Sequence, residues 1–265
     1  MSARIGIVTG SGTYAFPGLV DARPTTVETP HGTVPVTVGT VGEVEVVHLA
    51  RHREHHELVS HQVTHRANVL ALQQLGVDAV LGVTVCGACE PSATLGSLLV
   101  FDDLHFLANR FADGSICTLH ETPGAPGRGH WVFEGPFSDP LRQALLDGAH
   151  AAGLQVQDGG CYGHVDGPRF NSRAEIRSLR AAGVTAVSQT AGPETVLLGE
   201  AGIPYALLGF QTDYANGVAH EPTPVSTLVD LIARSTASFT AVLAQAIPQL
   251  AGIEHAPVGT ALTWD

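Results

Sequence analysis

Between residues 160 and 217 the chain carries an aromatic ring, several polar side chains and one isolated carboxylate. Phe170 and Asn171 set an aromatic ring beside an amide, and the turn Ser188-Gln189-Thr190 adds hydroxyl groups. An aromatic ring can stack on a flat heterocycle, and amides and hydroxyls can hold a sugar. A carboxyl group such as Asp213 can protonate a leaving group. The first two features would suit a binding protein, whereas Asp213 favours a catalyst.

Asp213 is the candidate general acid. It follows the apolar run PYALLGFQT, which predicts a buried strand. Desolvation at such a position raises the pKa of a carboxyl group, so that it can hold a proton near neutral pH. An aspartate that merely caps the next turn is the alternative at this point.

A second group of polar side chains follows the predicted strands. Gly10-Ser11-Gly12 comes after the first strand, Arg51-His52 follows VEVVHLA, and Thr84 and Thr190 end two more strands. Each could be an ordinary turn or strand residue, but ligands gather at the carboxyl ends of strands in α/β sheets. Arg51 could offer a bidentate guanidinium fork to an anion. We therefore predict a phosphate or sulfate site at Ser11, Arg51, His52, Thr84 and Thr190.

The composition argues against several classes of function. The formal net charge is −12 and no run of Lys or Arg occurs, which disfavours nucleic acid. No stretch resembles a secretory signal or the ~20 apolar residues of a membrane span. The C-x-x-C at Cys86 and Cys89 lacks a second pair with zinc spacing, and RHREHH lacks the spacing of a metal-binding helix. We therefore expect a cytoplasmic protein without a metal and without nucleic-acid or membrane partners.

Apolar strands and helical patterns alternate along the chain. Strands are predicted at RIGIVTG, DAVLGVTV, LGSLLVFDDL, TAVSQ and PYALLGFQT, with a hairpin of TVPVTVGTV and VEVVHLA. Helices are predicted over 61–75, 140–153, 174–182, 194–201 and 226–246. The segment 109–129 lacks periodicity and reads as a loop that covers a site or a partner. We predict a single α/β domain over residues 1–265, with a mixed, largely parallel central sheet flanked by helices.

Several motifs in this order resemble the trimeric purine nucleoside phosphorylase family, which includes the methylthioadenosine phosphorylases. They are RHREHH, ANVLALQQLGV, VTVCGACEP, GPRFNSRAE, QTAGPE and TDYANG, and the resemblance extends from IGIVTGSG to the final helix. It is nearest to the methylthioadenosine branch, because Asp213 stands where 6-oxopurine enzymes usually carry Asn, and because of GPRFNSRAE and the length of the VTVCGACEP turn. The resemblance implies a homotrimer that needs no metal or organic cofactor and uses inorganic phosphate as a co-substrate. Phosphate would attack C1′ of a purine nucleoside and give the free base and a pentose 1-phosphate.

The resemblance also implies a role for individual residues. Phe170 would stack on the purine, Asn171 would line the base pocket, and Asp213 would protonate the base at N7. Gln189 would lie against the ribose, and His130 would come from a neighbouring subunit to the 5′ end of the sugar. The phosphate ligands would be Ser11, Arg51, His52, Thr84, the backbone at Val85, and Thr190.

Four positions depart from the family pattern. Gln189 replaces a usual Met at the ribose, and Ala215 replaces a second carboxylate beside the base. Thr227 and Asp230 fall near the region where the family has small aliphatic residues around a 5′-methylthio group. A charged group facing a thioether would be costly, so we expect a polar 5′ pocket that accepts a hydroxyl or another polar substituent. A 6-oxopurine phosphorylase and a non-catalytic nucleoside-binding homologue stay open as alternatives, and the retained phosphate ligands disfavour a hydrolase.

Overall fold

The computed structural model describes residues 3–264, and its centre is an eleven-stranded sheet. Six of the strand pairings in this sheet are parallel and four are antiparallel, as the predicted mixed, largely parallel sheet requires. A separate antiparallel ribbon pairs β8 with β13. The strands are β1 Arg4–Thr9, β2 Val20–Thr29, β3 Gly32–Val41, β4 Val44–Ala50, β5 Ala79–Ala88, β6 Leu98–Val100, β7 Asp103–His105, β8 Gly129–Val132, β9 Val156–Asp158, β10 Cys161–His164, β11 Val184–Ser188, β12 Tyr205–Tyr214 and β13 Thr260–Thr263.

Strand β5 is the central strand of the sheet. It pairs in parallel with β1 and β12 and antiparallel with β11, and nearly all of its residues are buried. The main path runs β2-β3-β4-β1-β5-β11-β10-β7, and β12, β6 and β9 branch from β5. The near-continuous apolar sequences of β1, β5 and β12 follow from burial on both faces, which is typical of parallel strands under helices.

Five α-helices cover the two faces. The apolar side chains of α2 and α5 pack with Ile5 and Ile7 on one face of the sheet. The apolar side chains of α1 and α4 pack with Val8 and Val80 on the other face. Neighbouring side chains of β1 therefore point into the two separate hydrophobic cores. The helices are α1 His65–Gln74, α2 Asp139–Ala151, α3 Arg173–Ala181, α4 Ala191–Glu200 and α5 Val225–Ala246.

Several elements differ from the sequence prediction, which also lacked the short strands β8, β9, β10 and β13. Strand β2 was missed because its sequence VDARPTTVET contains a proline and is almost entirely exposed at the edge of the sheet. The single strand predicted at LGSLLVFDDL is divided into β6 and β7. The helix predicted from residue 61 begins as a 3₁₀ turn at Ser60–Gln62, and the extended ψ of 126° at Val63 separates this turn from α1.

The stretch Val225–Leu250, which is α5 and the turn after it, is apolar and long enough to cross a membrane by length and composition alone. The sequence analysis did not expect this. The indication is weak, because the core helix of a soluble protein passes the same test. Leu231, Phe239 and Val242 of α5 are buried in the core that α2 shares.

Candidate active site

A cavity of 350 Å³ opens near the carboxyl ends of β1, β4 and β12, beside the second half of β5. Its wall brings together most of the side chains that the sequence singled out, although they come from widely separated parts of the chain. Those that line the cavity are Ser11, Arg51, His52, Thr84, Val85, Phe170, Asn171, Gln189, Thr190, Asp213 and Ala215.

One end of the cavity is rich in groups that can bind an anion. Ser11 lies in the turn after β1, which Gly12 closes with a positive φ of 85°. The Thr84 hydroxyl lies 3.1 Å from the Ser188 hydroxyl, and Thr190 begins α4. Residues of three separate elements therefore line one space, and their binding of an anion remains a prediction.

Two N–H groups at the start of α4 already have an acceptor. The phenol oxygen of Tyr162 accepts hydrogen bonds from the N–H groups of Thr190, at 3.3 Å, and Ala191, at 3.0 Å. Tyr162 is completely buried, so these two groups are bonded from inside the protein. The side chain of Thr190, rather than its N–H, is left for a ligand.

Arg51 has a buried partner that the sequence did not reveal. Its Nε and Nη2 donate to the two carboxylate oxygens of Glu194 at 3.1 and 2.9 Å, and the two side chains are 1% and 5% exposed. Nη1 donates to the Val83 carbonyl at 2.7 Å and Nη2 to the Val8 carbonyl at 3.4 Å. Four of the five guanidinium N–H groups are thus used. Glu194 occupies the edge of the guanidinium formed by Nε and Nη2, and the binding of an anion by Arg51 remains a prediction.

Two stacked imidazoles line the wall next to Arg51. The rings of His52 and His56 lie 4.2 Å apart between centroids and are nearly parallel. The Tyr14 hydroxyl is 3.1 Å from Nδ1 of His56. Burial and the neighbouring Arg51 charge lower the pKa of His52 to about 4, and burial also lowers the pKa of His56. His52 is therefore neutral near pH 7.

Asp213 lies at the other end of the cavity, at an irregularity in β12. The register against β5 slips between Gln211 and Asp213, so that Thr212 and Asp213 together face the position of Gly87. Both side chains line the cavity, and the Thr212 hydroxyl donates to Oδ1 of Asp213 at 2.9 Å. Burial raises the pKa of Asp213, as the sequence analysis expected for a buried strand end, although the bond from Thr212 opposes this. Asp213 does not cap the following turn.

Three sets of hydrogen bonds fix the backbone around Phe170 and Asn171. Asn216 donates from Nδ2 to the carbonyl of Asn171 at 2.6 Å. Gln189 donates from Nε2 to the carbonyl of Arg169 at 3.2 Å. At the start of α3 the Ser172 hydroxyl accepts from the N–H of residue 175, whose carboxylate accepts in return from the N–H of Ser172. The Phe170 ring, 59% exposed, is thus presented on a fixed backbone.

Gln189 is also bonded to the opposite wall. Its Oε1 accepts from the Ser60 hydroxyl at 2.8 Å. Gly167 packs directly against this pair, since a Cβ there would come within 2.0 Å of both polar atoms. Both polar ends of the Gln189 amide therefore have protein partners, and its contact with a ribose remains a prediction.

Two predicted residues lie outside the cavity lining. His130 is in the exposed ribbon of β8 and β13, edge-on to Trp264 at 5.1 Å, and its expected action in a neighbouring subunit remains a prediction. Thr227 lies on α5, but the side chains of α5 that reach the cavity are those of Leu228 and Ile232. The expected contact of Thr227 with the substrate remains a prediction.

Residues 3–264 contain no group of three or more His, Cys, Asp or Glu that could hold a metal ion. The thiols of Cys86 and Cys89 are free, and burial raises the pKa of both. The C-x-x-C is thus a pair of protonated, buried thiols.

Several residues of the site were not singled out from the sequence. Glu194 gave a signal, as a carboxylate in the otherwise apolar helix sequence AGPETVLLGE, but its partner is 143 residues away in the chain. The others look like ordinary loop or helix residues before the fold is known. They are His56, Ser60, Thr212, Asn216, Leu228 and Ile232.

Comparisons with known proteins give one consistent family. The profile described as the phosphorylase superfamily matches residues 4–248. The chain is 35% identical over 249 residues to a 6-oxopurine nucleoside phosphorylase of Pyrococcus furiosus, covering 92% of both chains. It is 40% identical over 217 residues to an S-methyl-5′-thioadenosine phosphorylase of Mycolicibacterium smegmatis, covering 81% of this chain and 78% of the relative. The methylthioadenosine phosphorylase of Schistosoma mansoni, solved with adenine, superposes with a TM-score of 0.83 at 26% identity, covering 94% of this chain and 91% of that one.

Proposed function

Because the chain belongs to the phosphorylase superfamily, we propose that it catalyses the phosphorolysis of a 6-aminopurine nucleoside by inorganic phosphate. The products are the free purine base and a pentose 1-phosphate. The observation that carries this proposal is the shared cavity, which has a buried carboxyl group at one end and anion-binding groups at the other. A purine nucleoside can accept a hydrogen bond from the carboxyl group, and a phosphate ion can bind to the anion-binding groups.

The reaction needs a nucleophile on one side of the sugar and a proton on the other. Phosphate attacks C1′ as the bond to the base breaks, and its negative charge stabilises the oxocarbenium-like sugar. The departing purine needs a proton at N7. Burial raises the pKa of Asp213, so that this carboxyl group is suited to hold that proton and to deliver it.

The single carboxyl group favours an aminopurine over an oxopurine. The edge of adenine offers an acceptor at N7 and a donor at the 6-amino group, whereas that of guanine offers two acceptors. A protonated carboxyl group has one donor and one acceptor, which matches the adenine edge. With a 6-oxopurine its second oxygen would face O6, and two acceptors would meet.

The 6-oxopurine reaction is the second candidate. Asn171 lines the cavity, and its side-chain amide can donate to an O6 atom. The relative named 6-oxopurine nucleoside phosphorylase is about as similar to this chain as the one named for methylthioadenosine. A non-catalytic nucleoside-binding protein is a weaker candidate, since it would not need the retained anion-binding groups.

The 5′ end of the sugar would meet the apolar side chains of Leu228 and Ile232. This wall favours a thioether or another apolar 5′ substituent. It replaces our expectation of a polar pocket, which rested on Thr227 and Asp230. Asp230 is exposed on α5 and does not line the cavity.

We extend the proposal to the setting of the enzyme. The chain acts as one nucleoside phosphorylase domain over residues 1–265, in the cytoplasm, as a homotrimer in which His130 reaches a neighbouring site. Inorganic phosphate is the co-substrate and no metal or organic cofactor takes part. Purine salvage is the natural setting for such a reaction.

The test is release of the base from adenosine, methylthioadenosine, 5′-deoxyadenosine, inosine and guanosine, each with and without phosphate. We expect phosphate-dependent release from the three aminopurines, fastest for methylthioadenosine. Faster cleavage of inosine and guanosine would establish the second candidate. Release without phosphate would indicate a hydrolase, and no release from any nucleoside would contradict the proposal.

A further inference from the structure

The His52 imidazole has a tautomer that its surroundings fix. Nδ1 lies 2.8 Å from the carbonyl oxygen of Leu58. A carbonyl oxygen can only accept, so Nδ1 carries the proton. In the neutral ring Nε2 is then an acceptor, and nothing within residues 3–264 forms a hydrogen bond with it. His52 therefore brings a lone pair, not an N–H donor, to the cavity wall.

The groups around His52 keep the ring neutral. Arg51 adjoins it at the end of β4, His56 stacks on it from the following 3₁₀ turn, and His65 approaches from α1. Each of these groups is cationic or becomes so when protonated, and no carboxylate in the described part of the chain is bonded to the ring. Burial and Arg51 therefore hold the pKa of His52 at about 4 while the cavity contains no anion.

Within residues 3–264 the positive charge at the anion end of the cavity is already balanced. The guanidinium of Arg51 is neutralised by Glu194 through two hydrogen bonds. The hydroxyls of Ser11, Thr84 and Thr190 carry no charge, and that of Thr84 donates to the Val85 carbonyl at 3.1 Å. An unprotonated oxyanion placed here would direct an oxygen lone pair at Nε2, and two acceptors in contact repel unless a proton lies between them.

We propose that phosphate binds at this site together with one proton, shared between a phosphate oxygen and Nε2 of His52. The site is then specific for a tetrahedral oxyanion that carries a proton. Both the monoanion H2PO4⁻ and the dianion HPO4²⁻ carry such a proton, so phosphate needs none from the solvent. Sulfate has no proton near neutral pH, so a proton must first be placed on the imidazole. This inference rests on the proposed function only for the choice of phosphate as the ligand.

Isothermal titration of the whole protein in buffers of different ionisation enthalpy counts the protons taken up on binding. At about pH 8, where phosphate is mainly HPO4²⁻, we expect phosphate to bind without proton uptake. At about pH 5.5, where the monoanion predominates, phosphate should again take up no proton. Sulfate should take up about one proton at either pH, and its affinity should fall by about tenfold for each unit of rising pH. Sulfate binding without proton uptake would overturn the inference.

A substitution locates the proton. His52→Gln places an amide near the position of Nε2 that can donate without titrating, so the proton uptake with sulfate should disappear while sulfate still binds. His55→Asn is the matched control, because His55 is exposed in the same RHREHH run and Asn tolerates its positive φ of 53°. It should keep the wild-type uptake. Unchanged uptake in His52→Gln would place the proton elsewhere and contradict the inference.

The wild-type titration stands even if His52→Gln does not fold. The inference and the proposed function also fail in different ways. Phosphate-dependent release of the base, together with sulfate binding that takes up no proton, would refute only the inference. Loss of all phosphate binding together with loss of phosphate-dependent release would refute both.

Discussion

The carboxylate of Glu194 holds the guanidinium of Arg51 by two hydrogen bonds of 3.1 and 2.9 Å, with both side chains almost completely buried. Glu194 also accepts a hydrogen bond of 2.5 Å from the Tyr205 hydroxyl. The Arg51 guanidinium at the cavity wall is thereby held in one orientation, and the negative charge of Glu194 balances its positive charge. The ion pair therefore limits the electrostatic attraction that Arg51 can exert on an anion.

Glu194→Gln should destabilise the protein and sensitise it to phosphate. Leaving one member of a buried ion pair uncompensated costs about 3–5 kcal/mol in the free energy of unfolding. An anion beside Arg51 would offset part of this loss, so phosphate should raise the melting temperature of the variant more than that of the wild type. Thermal unfolding with and without phosphate measures both effects.

Glu175→Gln is the control for this prediction. Glu175 pairs with Arg169 at 2.7 Å, but the pair is on the surface, where such contacts contribute little. We expect a small change in melting temperature and an unchanged response to phosphate. Equal effects in the two variants would argue against a special role of the buried pair.

Asp213→Asn should lower kcat for adenosine by ~100-fold or more, because an amide cannot donate a proton to N7 in the way a carboxylic acid does. In the wild type only the protonated acid is active. The rate should therefore fall as the pH rises through the pKa of Asp213, which burial raises above its ordinary value. Steady-state kinetics across pH measure this. Unchanged adenosine kinetics in the variant would remove Asp213 from the mechanism.

Thr212→Val tests the same assignment without removing the acid. The Thr212 hydroxyl donates to Oδ1 of Asp213 and opposes the rise of its pKa. Without this bond the pKa of Asp213 should rise further, so the fall in rate should move to higher pH. A pH profile that does not move would show that another group controls it.

Gln189→Met should weaken nucleoside binding and leave phosphate binding unchanged. The substitution removes the partners of Ser60 and of the Arg169 carbonyl, which stabilise the loop of Phe170. A lost bond of this kind costs about 1 kcal/mol, so KM for the nucleoside should rise about fivefold. Because Ser60 and Gln189 act together, adding Ser60→Ala should raise it little further. A proportional rise in KM for phosphate would indicate a general loss of structure.

Leu228→Gln should reduce the preference for methylthioadenosine over adenosine. An amide facing the thioether removes apolar contact and introduces an unpaired polar group, which lowers the ratio of the two kcat/KM values by about tenfold. Asp230→Asn, on the exposed side of α5, should leave the ratio unchanged. An effect in Asp230→Asn alone would restore the polar pocket that the sequence suggested.

Acid should destabilise the protein through buried histidines. His48 bonds to Thr9 inside the protein, and burial lowers its pKa to about 4 from the ordinary value of 6.5. The unfolded chain takes up a proton below about pH 6.5 while the folded state does not, so stability falls as the pH drops from there toward 4. We expect a loss of about 2 kcal/mol from His48 between about pH 7 and pH 5. Urea unfolding should show a shallower loss for His48→Gln.

The alternation of apolar strands with helical patterns was sufficient to predict the class of fold. It failed where tertiary pairing decides the outcome, as in the polar edge strand β2 and the ribbon of β8 and β13. These sequences have little apolar character, and only their partners make them strands.

In the candidate site, too, some features could be predicted from the sequence and others could not. Positions at strand ends could be predicted, because parallel strands carry their ends to one edge. The hydrogen-bond partners of these side chains could not be predicted, because they are distant in the chain. Glu194 lies 143 residues from Arg51, and Gln189 lies 129 residues from Ser60. On α5 the sequence pointed to Thr227 and Asp230 whereas Leu228 and Ile232 line the cavity, since neighbouring positions on a helix point about 100° apart.

The register slip in β12 makes the position of Asp213 depend on the number of residues before it. In a regular strand neighbouring side chains point to opposite faces, yet here Thr212 and Asp213 lie side by side. Exchanging one side chain for another in this strand would leave that arrangement intact. Deleting a single residue would restore alternation and turn one of the two away from the cavity. Proteins that evolve from this sequence should therefore tolerate substitutions in β12 far more readily than insertions or deletions.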